Sequence, residues 1–295
     1  MITRVTNQTM MQSAQRNLQT NLARMAELQD KASGQKAFTR ASDDPSAAAE
    51  SLRVRAELRA VDQYSRNIAD GDAWLTAVDS SLTAASATLN KVRDLTVQGG
   101  NGSLSASGRE ALAIEVSALR EQLLAQTNTK HQGRTIFAGN SDTGVAFTDT
   151  LDHTGGTGDE RGVMRRVDAN VTVRVDVDGA AVFGTGDASV FRLLDNIAVE
   201  LKLGTDVSGH LGALDTRLAA VRTHHAEVGT RHAQILNSQE VNMETSVSLE
   251  AQRSRVEDVD LAAVILEMKL QEVTYQSALA VTARVLQPTL MDFLR

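Results

Sequence analysis

At 295 residues with no cysteine, the chain cannot build a disulfide scaffold, a zinc ribbon or a thiol nucleophile. Its 42 % apolar and 23 % charged residues exclude global disorder, and a net charge of −7 speaks against a dedicated nucleic-acid binder. No run approaches the roughly 20 apolar residues that membrane insertion needs, and only two prolines, where average usage gives roughly 15, leave room for very long helices.

The first residues lack an apolar run followed by a small-residue cleavage site, so no cleavable signal peptide is expected. Residues 1–40 carry six basic and two acidic side chains, net +4. An apolar stripe through Met11, Leu18, Leu22, Met25 and Leu28 predicts an amphipathic helix there. Next, Ser42, Asp43 and Asp44 offer helix caps, and Pro45 suits a first turn.

From Val61 an apolar seam runs through Tyr64, Ile68, Gly71, Leu75, Val78, Leu82, Ala85, Leu89 and Val92, alternating steps of three and four. A helix over 45–98 would be about 80 Å long. Gly99, Gly100, Asn101 and Gly102 stop it, and a second helix follows with Leu112, Val116, Leu119 and Leu123 on one face.

The period then changes. Thirteen of the twenty glycines lie between Gly133 and Gly212. Residues 171–177 alternate strictly and predict a half-buried strand, Asp178-Gly179 a turn, and 180–183 its hairpin partner. Residues 135–138 are another short strand candidate, and helical spacing returns over 190–203. A third seam passes through Leu211, Leu214, Leu218, Val221, Val228 and Ile235, weakening from Gln239 to Leu249. The expected fold is mainly α, a helical rod or bundle with coiled-coil termini and a small β insertion.

Residues 256–295 carry six acidic and three basic side chains, net −3, with an apolar stripe at Leu261, Ile265, Met268, Tyr275, Leu279, Leu286 and Leu290. Opposite charge at opposite ends implies that the terminal helices pair, or pair with copies of themselves. The patterning leaves open whether they close a monomer or form an assembly surface.

No constellation for chemistry emerges. His224, His225 and His232 lack the three- or four-residue spacing of helical metal ligands, and His225 and His232 fall on seam positions, where a polar residue sets register. Asp176-Val177-Asp178-Gly179 lacks the later ligands of a calcium loop and reads as a turn. No phosphate loop or nucleophile elbow is present. The chain is expected to be no enzyme and to hold no cofactor or metal.

Two segments resemble a known family. Residues 28–45, LQDKASGQKAFTRASDDP, resemble the Ser/Thr-Gly…Asp-Asp-Pro segment of bacterial flagellins and their relatives, here Ser33, Gly34, Asp43, Asp44 and Pro45. Residues 254–262, SRVEDVDLA, are similar to the segment opening the C-terminal helix of that superfamily, here Ser254, Arg255, Glu257 and Asp258. GGNGSL at 99–104, GRTIFAGN at 133–140 and the tail from Val285 resemble the hook-associated branch at the hook–filament junction.

That resemblance implies a structural subunit of the bacterial flagellum, exported through the flagellar type III channel. The terminal helices (1–40 with 256–295) would line an inner tube, and 41–140 with 188–255 would form the surrounding helical layer. Residues 141–187 would form a small outer β domain. Implied partners are a ring of like subunits, the neighbouring hook-associated junction protein, flagellin, and an export chaperone at the C-terminal helix. A compact flagellin and a cytoplasmic coiled-coil signalling module are the alternatives. Absent cysteine and scarce proline fit a chain that crosses a narrow channel unfolded and refolds outside.

Overall fold

The computed structural model describes residues 2–155 and 162–286, apart from the side chains of residues 2–8 and 285–286. Its helices are α1 (Ile2–Gly34), α2 (Pro45–Gly99), α3 (Ala106–Thr127), α4 (Gly179–Phe183), α5 (Val190–Leu203), α6 (Leu211–Glu257) and α7 (Leu261–Leu286). Its strands are β1 (Lys130–His131), β2 (Arg134–Thr135), β3 (Met164–Arg166) and β4 (Thr172–Arg174). The chain divides into two compact units, Met1–Ala60 with Ser246–Arg295, and Val61–Thr245. None of the described helices is long and apolar enough to cross a membrane.

In the Val61–Thr245 unit, the helical periodicity becomes a core. Ile68, Leu75, Val78, Leu82, Ala85, Leu89 and Val92 of α2 are all buried, as are Leu112, Val116, Leu119 and Leu123 of α3 and Leu214, Leu218, Val221, Val228 and Ile235 of α6. Polar pairs set the register between them. Ser81 Oγ donates to the Gln126 carbonyl at 3.0 Å, and Lys91 meets Glu115 at 2.6 Å, so α3 runs antiparallel to α2. His225 Nε2 lies 2.6 Å from Asp79 and His232 Nε2 2.7 Å from Asp72, which lays α6 antiparallel on α2. The seam histidines thus take carboxylate partners on the facing helix.

Gly71 marks a close approach in that seam. A Cβ there would sit 3.1 Å from Ile235 Cδ1 and 3.3 Å from Val175 Cγ1, so the missing side chain lets α6 and the β segment approach α2 together.

The middle segment differs from its predicted pattern in three places. β4 pairs antiparallel with β3, Val173 opposite Arg165, and not with 180–183. Residues 180–183 belong to α4, because Asp178 caps the turn by accepting from the Ala180 N–H at 2.9 Å and the turn buries Val182 and Phe183. The strand expected over 135–138 shrinks to Arg134–Thr135 against Lys130–His131. Ile136, Phe137 and Ala138 are all buried in succession, which an alternating strand cannot achieve.

Asp176 is the third difference. Alternation assigns it to solvent, yet it is buried, accepting from the Val163 N–H at 2.7 Å and from Arg174 Nε at 2.9 Å. Those donors satisfy a carboxylate that would otherwise be costly to bury. Four of the six phenylalanines gather here. Phe137 stands edge-on to Phe183 at 5.3 Å, and Phe147 to Phe191 at 5.1 Å. A chain poor in aromatics concentrates them where short strands and loops provide little regular packing.

Candidate functional site

The Met1–Ala60 and Ser246–Arg295 unit contains the paired terminal helices. Arg24 Nη2 meets Glu267 Oε1 at 3.2 Å, and Gln271 Nε2 donates to the Asn21 carbonyl at 3.2 Å. One partner number rises as the other falls, so α1 and α7 pair antiparallel. This basic–acidic contact realises the opposite charges of the two ends.

The pair has an inner and an outer face. On α1, Leu28 is buried and Leu18 and Met25 are half-buried, whereas Leu22 is 51 % exposed. On α7, Val264 is buried, with Met268, Gln271, Tyr275 and Ala278 half-buried at steps of four and three. The register places Leu28, Met25 and Leu18 opposite Val264, Met268 and Tyr275 in turn. Leu261, Ile265 and Leu279 lie on the exposed shoulder of α7. Leu286 and Leu290 lie outside the described side chains.

Leu266, Leu270, Val273 and Val281 were not singled out by spacing, yet they are between 61 % and 64 % exposed. The signal that identifies them is that α7 is apolar around most of its circumference. A single stripe satisfies one partner helix, and the surplus is available to another.

At the base of this pair the two family-like segments meet. The Lys36 and Asp258 backbones form an antiparallel bridge, and the Ala37 N–H donates to the Glu257 carbonyl at 2.8 Å. Glu257, 6 % exposed, closes the arrangement. Arg55 Nε and Nη2 hold its two carboxylate oxygens at 2.5 and 2.6 Å, and Ser51 Oγ donates to it at 2.6 Å. The Arg55 hydrogen bonds, opposed by partial burial, hold the Glu257 carboxyl down at about 2. Sequence spacing did not single out Arg55 or Ser51, since their partner is some two hundred positions away.

The other motif residues shape the backbone. Ser33 and Gly34 end α1 on its exposed side, and the left-handed residue that turns the chain is Gln35, φ 55°. Asp43 Oδ2 accepts from the Arg40 N–H at 2.9 Å, tightening the turn before α2. Asp44 Oδ1 caps α2 through the Ser46 and Ala47 N–H groups at 3.0 and 2.9 Å, with Pro45 in the first turn. Both carboxyls are held below their ordinary range, chiefly by the Arg40 N–H for Asp43 and the Ala47 N–H for Asp44. Ser254 accepts from the Asp258 N–H at 2.9 Å through its carbonyl, while Arg255 points its exposure to solvent in the last turn of α6.

Among the described residues no group of three or more His, Asp or Glu could hold a metal ion. What the arrangement provides is an apolar outer face on a helix pair, anchored at its base by a part-buried, charge-assisted bond. It is an architecture for helix–helix association.

Comparison with known proteins places that architecture in a family. Residues 5–142 match the bacterial flagellin N-terminal helical region, and 211–294 match the bacterial flagellin C-terminal helical region. The chain belongs to the bacterial flagellin family, whose members are structural proteins of the flagellum.

It is 25 % identical over 302 residues to flagellar hook-associated protein 3 of Salmonella typhimurium, covering 93 % of this chain and 94 % of that protein. It is 24 % identical over 270 residues to flagellin of Bacillus subtilis, covering 85 % of each. Among solved structures, it resembles a protein assigned to the flagellar hook-associated class from Vibrio parahaemolyticus, with a TM-score of 0.67 and 22 % identity over 73 % of this chain and 100 % of that one. Bacillus cereus FlgL gives a TM-score of 0.60 and 23 % identity, covering 68 % and 99 %. These likenesses establish the flagellin-like, mainly α fold.

Proposed function

We propose that this protein is a junction subunit between hook and filament, a member of the hook-associated branch rather than a filament-forming flagellin. The observation that carries the reading is the agreement of its fold with hook-associated proteins over their full described length. The near full-length relationship to hook-associated protein 3 supports the same branch.

Assembly proceeds through the outer face of the α1–α7 pair. Leu18, Met25, Leu28, Met268 and Tyr275 hold the pair together, and Leu22, Leu261, Ile265 and Leu279 meet neighbouring subunits. The terminal helices (1–40 and 256–295) form the inner layer of a ring of like subunits, 41–140 with 188–255 the next, and 141–187 the outermost part. The ring contacts a second hook-associated protein on one side and flagellin on the other. Export runs through the flagellar channel, with a chaperone holding the C-terminal helix until secretion. The protein does no catalysis.

Deletion of the gene tests the reading. The expected result is loss of swimming, intact hooks and monomeric flagellin in the medium. Normal filaments on the deletion strain would overturn it.

A further inference from the structure

The loop that ends α2 contains the chain's one Asn-Gly pair, Asn101-Gly102, and the assembly role does not use it. Both residues are exposed, and a Cβ on Gly102 would meet nothing within 4 Å. Glycine here leaves its own nitrogen unhindered and its dihedral angles free. No acceptor among the described residues takes the Gly102 N–H.

The Asn101 side chain is held by the residue beyond. Its Oδ1 accepts from Ser103 Oγ at 2.9 Å and from the Ser103 N–H at 3.3 Å. Two donors on an amide oxygen polarise its carbonyl, and the same donors stabilise the oxyanion that forms when a nucleophile adds to Cγ.

We propose that this loop is a self-modifying site at which Asn101 deamidates through a cyclic imide, with Ser103 as the positioning and oxyanion-stabilising residue. The Gly102 nitrogen adds to Asn101 Cγ, forming a C–N bond, and its proton passes through water to the departing amide nitrogen. The Cγ–Nδ2 bond breaks and ammonia leaves. Water then opens the five-membered ring at either carbonyl, giving aspartate or isoaspartate. No electrons are exchanged.

The consequence reaches the core. Isoaspartate inserts a methylene into the backbone of a turn closed by Leu104 N–H to the Asn101 carbonyl at 3.2 Å, and Leu104 packs on the core cluster of the Val61–Thr245 unit. A carboxylate also arrives just past the C-terminus of α2, where the helix dipole disfavours it. Two Asp-Gly pairs serve as internal controls. Gly71 lies within α2, and the Gly179 N–H is occupied by the Phe137 carbonyl at 3.1 Å.

The test is to incubate the purified full-length protein at mildly alkaline pH and follow each asparagine by peptide mass mapping, with an isoaspartate-specific methyltransferase as second readout. Asn101 is expected to convert ahead of every other asparagine, with Asp70 and Asp178 remaining normal aspartate. Gly102→Ala should block conversion, Ser103→Ala should slow it several-fold, and Ser103→Thr, which keeps the hydroxyl, should restore it. Circular dichroism confirms that each variant is folded. Conversion at Asn101 no faster than elsewhere overturns the proposal, as does an unchanged rate in Ser103→Ala.

Discussion

Arg55 on α2 and Glu257 at the end of α6 join two helices across 202 positions of sequence. The guanidinium presents Nε and Nη2 in parallel to the two carboxylate oxygens, at 2.5 and 2.6 Å, while Arg55 stays half exposed and Glu257 is almost fully covered. A bidentate pair of this kind fixes orientation as well as proximity. Here it fixes where α6 ends, and so where the α1–α7 pair begins.

Removing one partner should therefore be costly. Glu257→Ala is expected to destabilise the Met1–Ala60 and Ser246–Arg295 unit by about 2 kcal/mol, below the cost of a fully buried pair because Arg55 reaches water. Hydrogen exchange at the Ala37 amide, bonded to the Glu257 carbonyl, is the site-specific readout. Unchanged protection there would show that the backbone bridge holds without the carboxylate.

The same carboxyl gives the unit a defined acid sensitivity. Glu257 is held at about 2 against an ordinary 4.5, so between those values the unfolded chain binds a proton that the folded unit does not. Its contribution is full above about pH 4.5 and is lost as pH falls toward 2. Urea titrations across that range should show stability falling on acidification, with a shallower slope in Glu257→Gln.

The two faces of α7 should separate pairing from assembly. Leu270→Asp and Leu279→Asp change exposed positions and should leave helix content of the monomer unchanged while abolishing incorporation into flagella. Val264→Asp changes a buried position against α1 and should reduce helix content of the monomer itself. Circular dichroism and a motility assay distinguish them. Normal swimming in both exposed-site variants would remove that face from the assembly.

Asp176 provides a test in the other unit. Asp176→Ala leaves the Val163 N–H and the Arg174 Nε–H without this acceptor, and a loss of about 3 kcal/mol is expected. Trp74, buried and the chain's one tryptophan, reports unfolding of this unit by fluorescence. A loss below about 1 kcal/mol would mean that water replaces the carboxylate.

Helices were legible because periodicity is a local property. The α2 seam from Ile68 to Val92 needs only its own spacing to declare a buried face, and Asp44-Pro45 announces where the helix starts. The middle segment was less legible because its elements are short and stabilised from outside. Val182 and Phe183 enter a helical turn through an aspartate cap and an aromatic cluster, and Asp176 is drawn inward by Val163 and Arg174. The candidate site was half legible. Leu18, Met25, Met268 and Tyr275 follow heptad spacing, but α7 is apolar on more than one face, so spacing alone could not tell which residues meet α1.

By itself, then, the sequence determined the long helices, their seams, the family-like segments at both ends and the opposite charges that bring the ends together. The helices and seams depend on neighbours three, four or seven residues apart, and the segments and charges on local composition. Only the tertiary structure decided that Val264 rather than Leu261 faces α1, that Glu257 is gripped by Arg55 and Ser51, and that Asp176 is buried. Each of those depends on a partner that periodicity along one element does not place, and burial of a charge is decided by whether such a partner arrives.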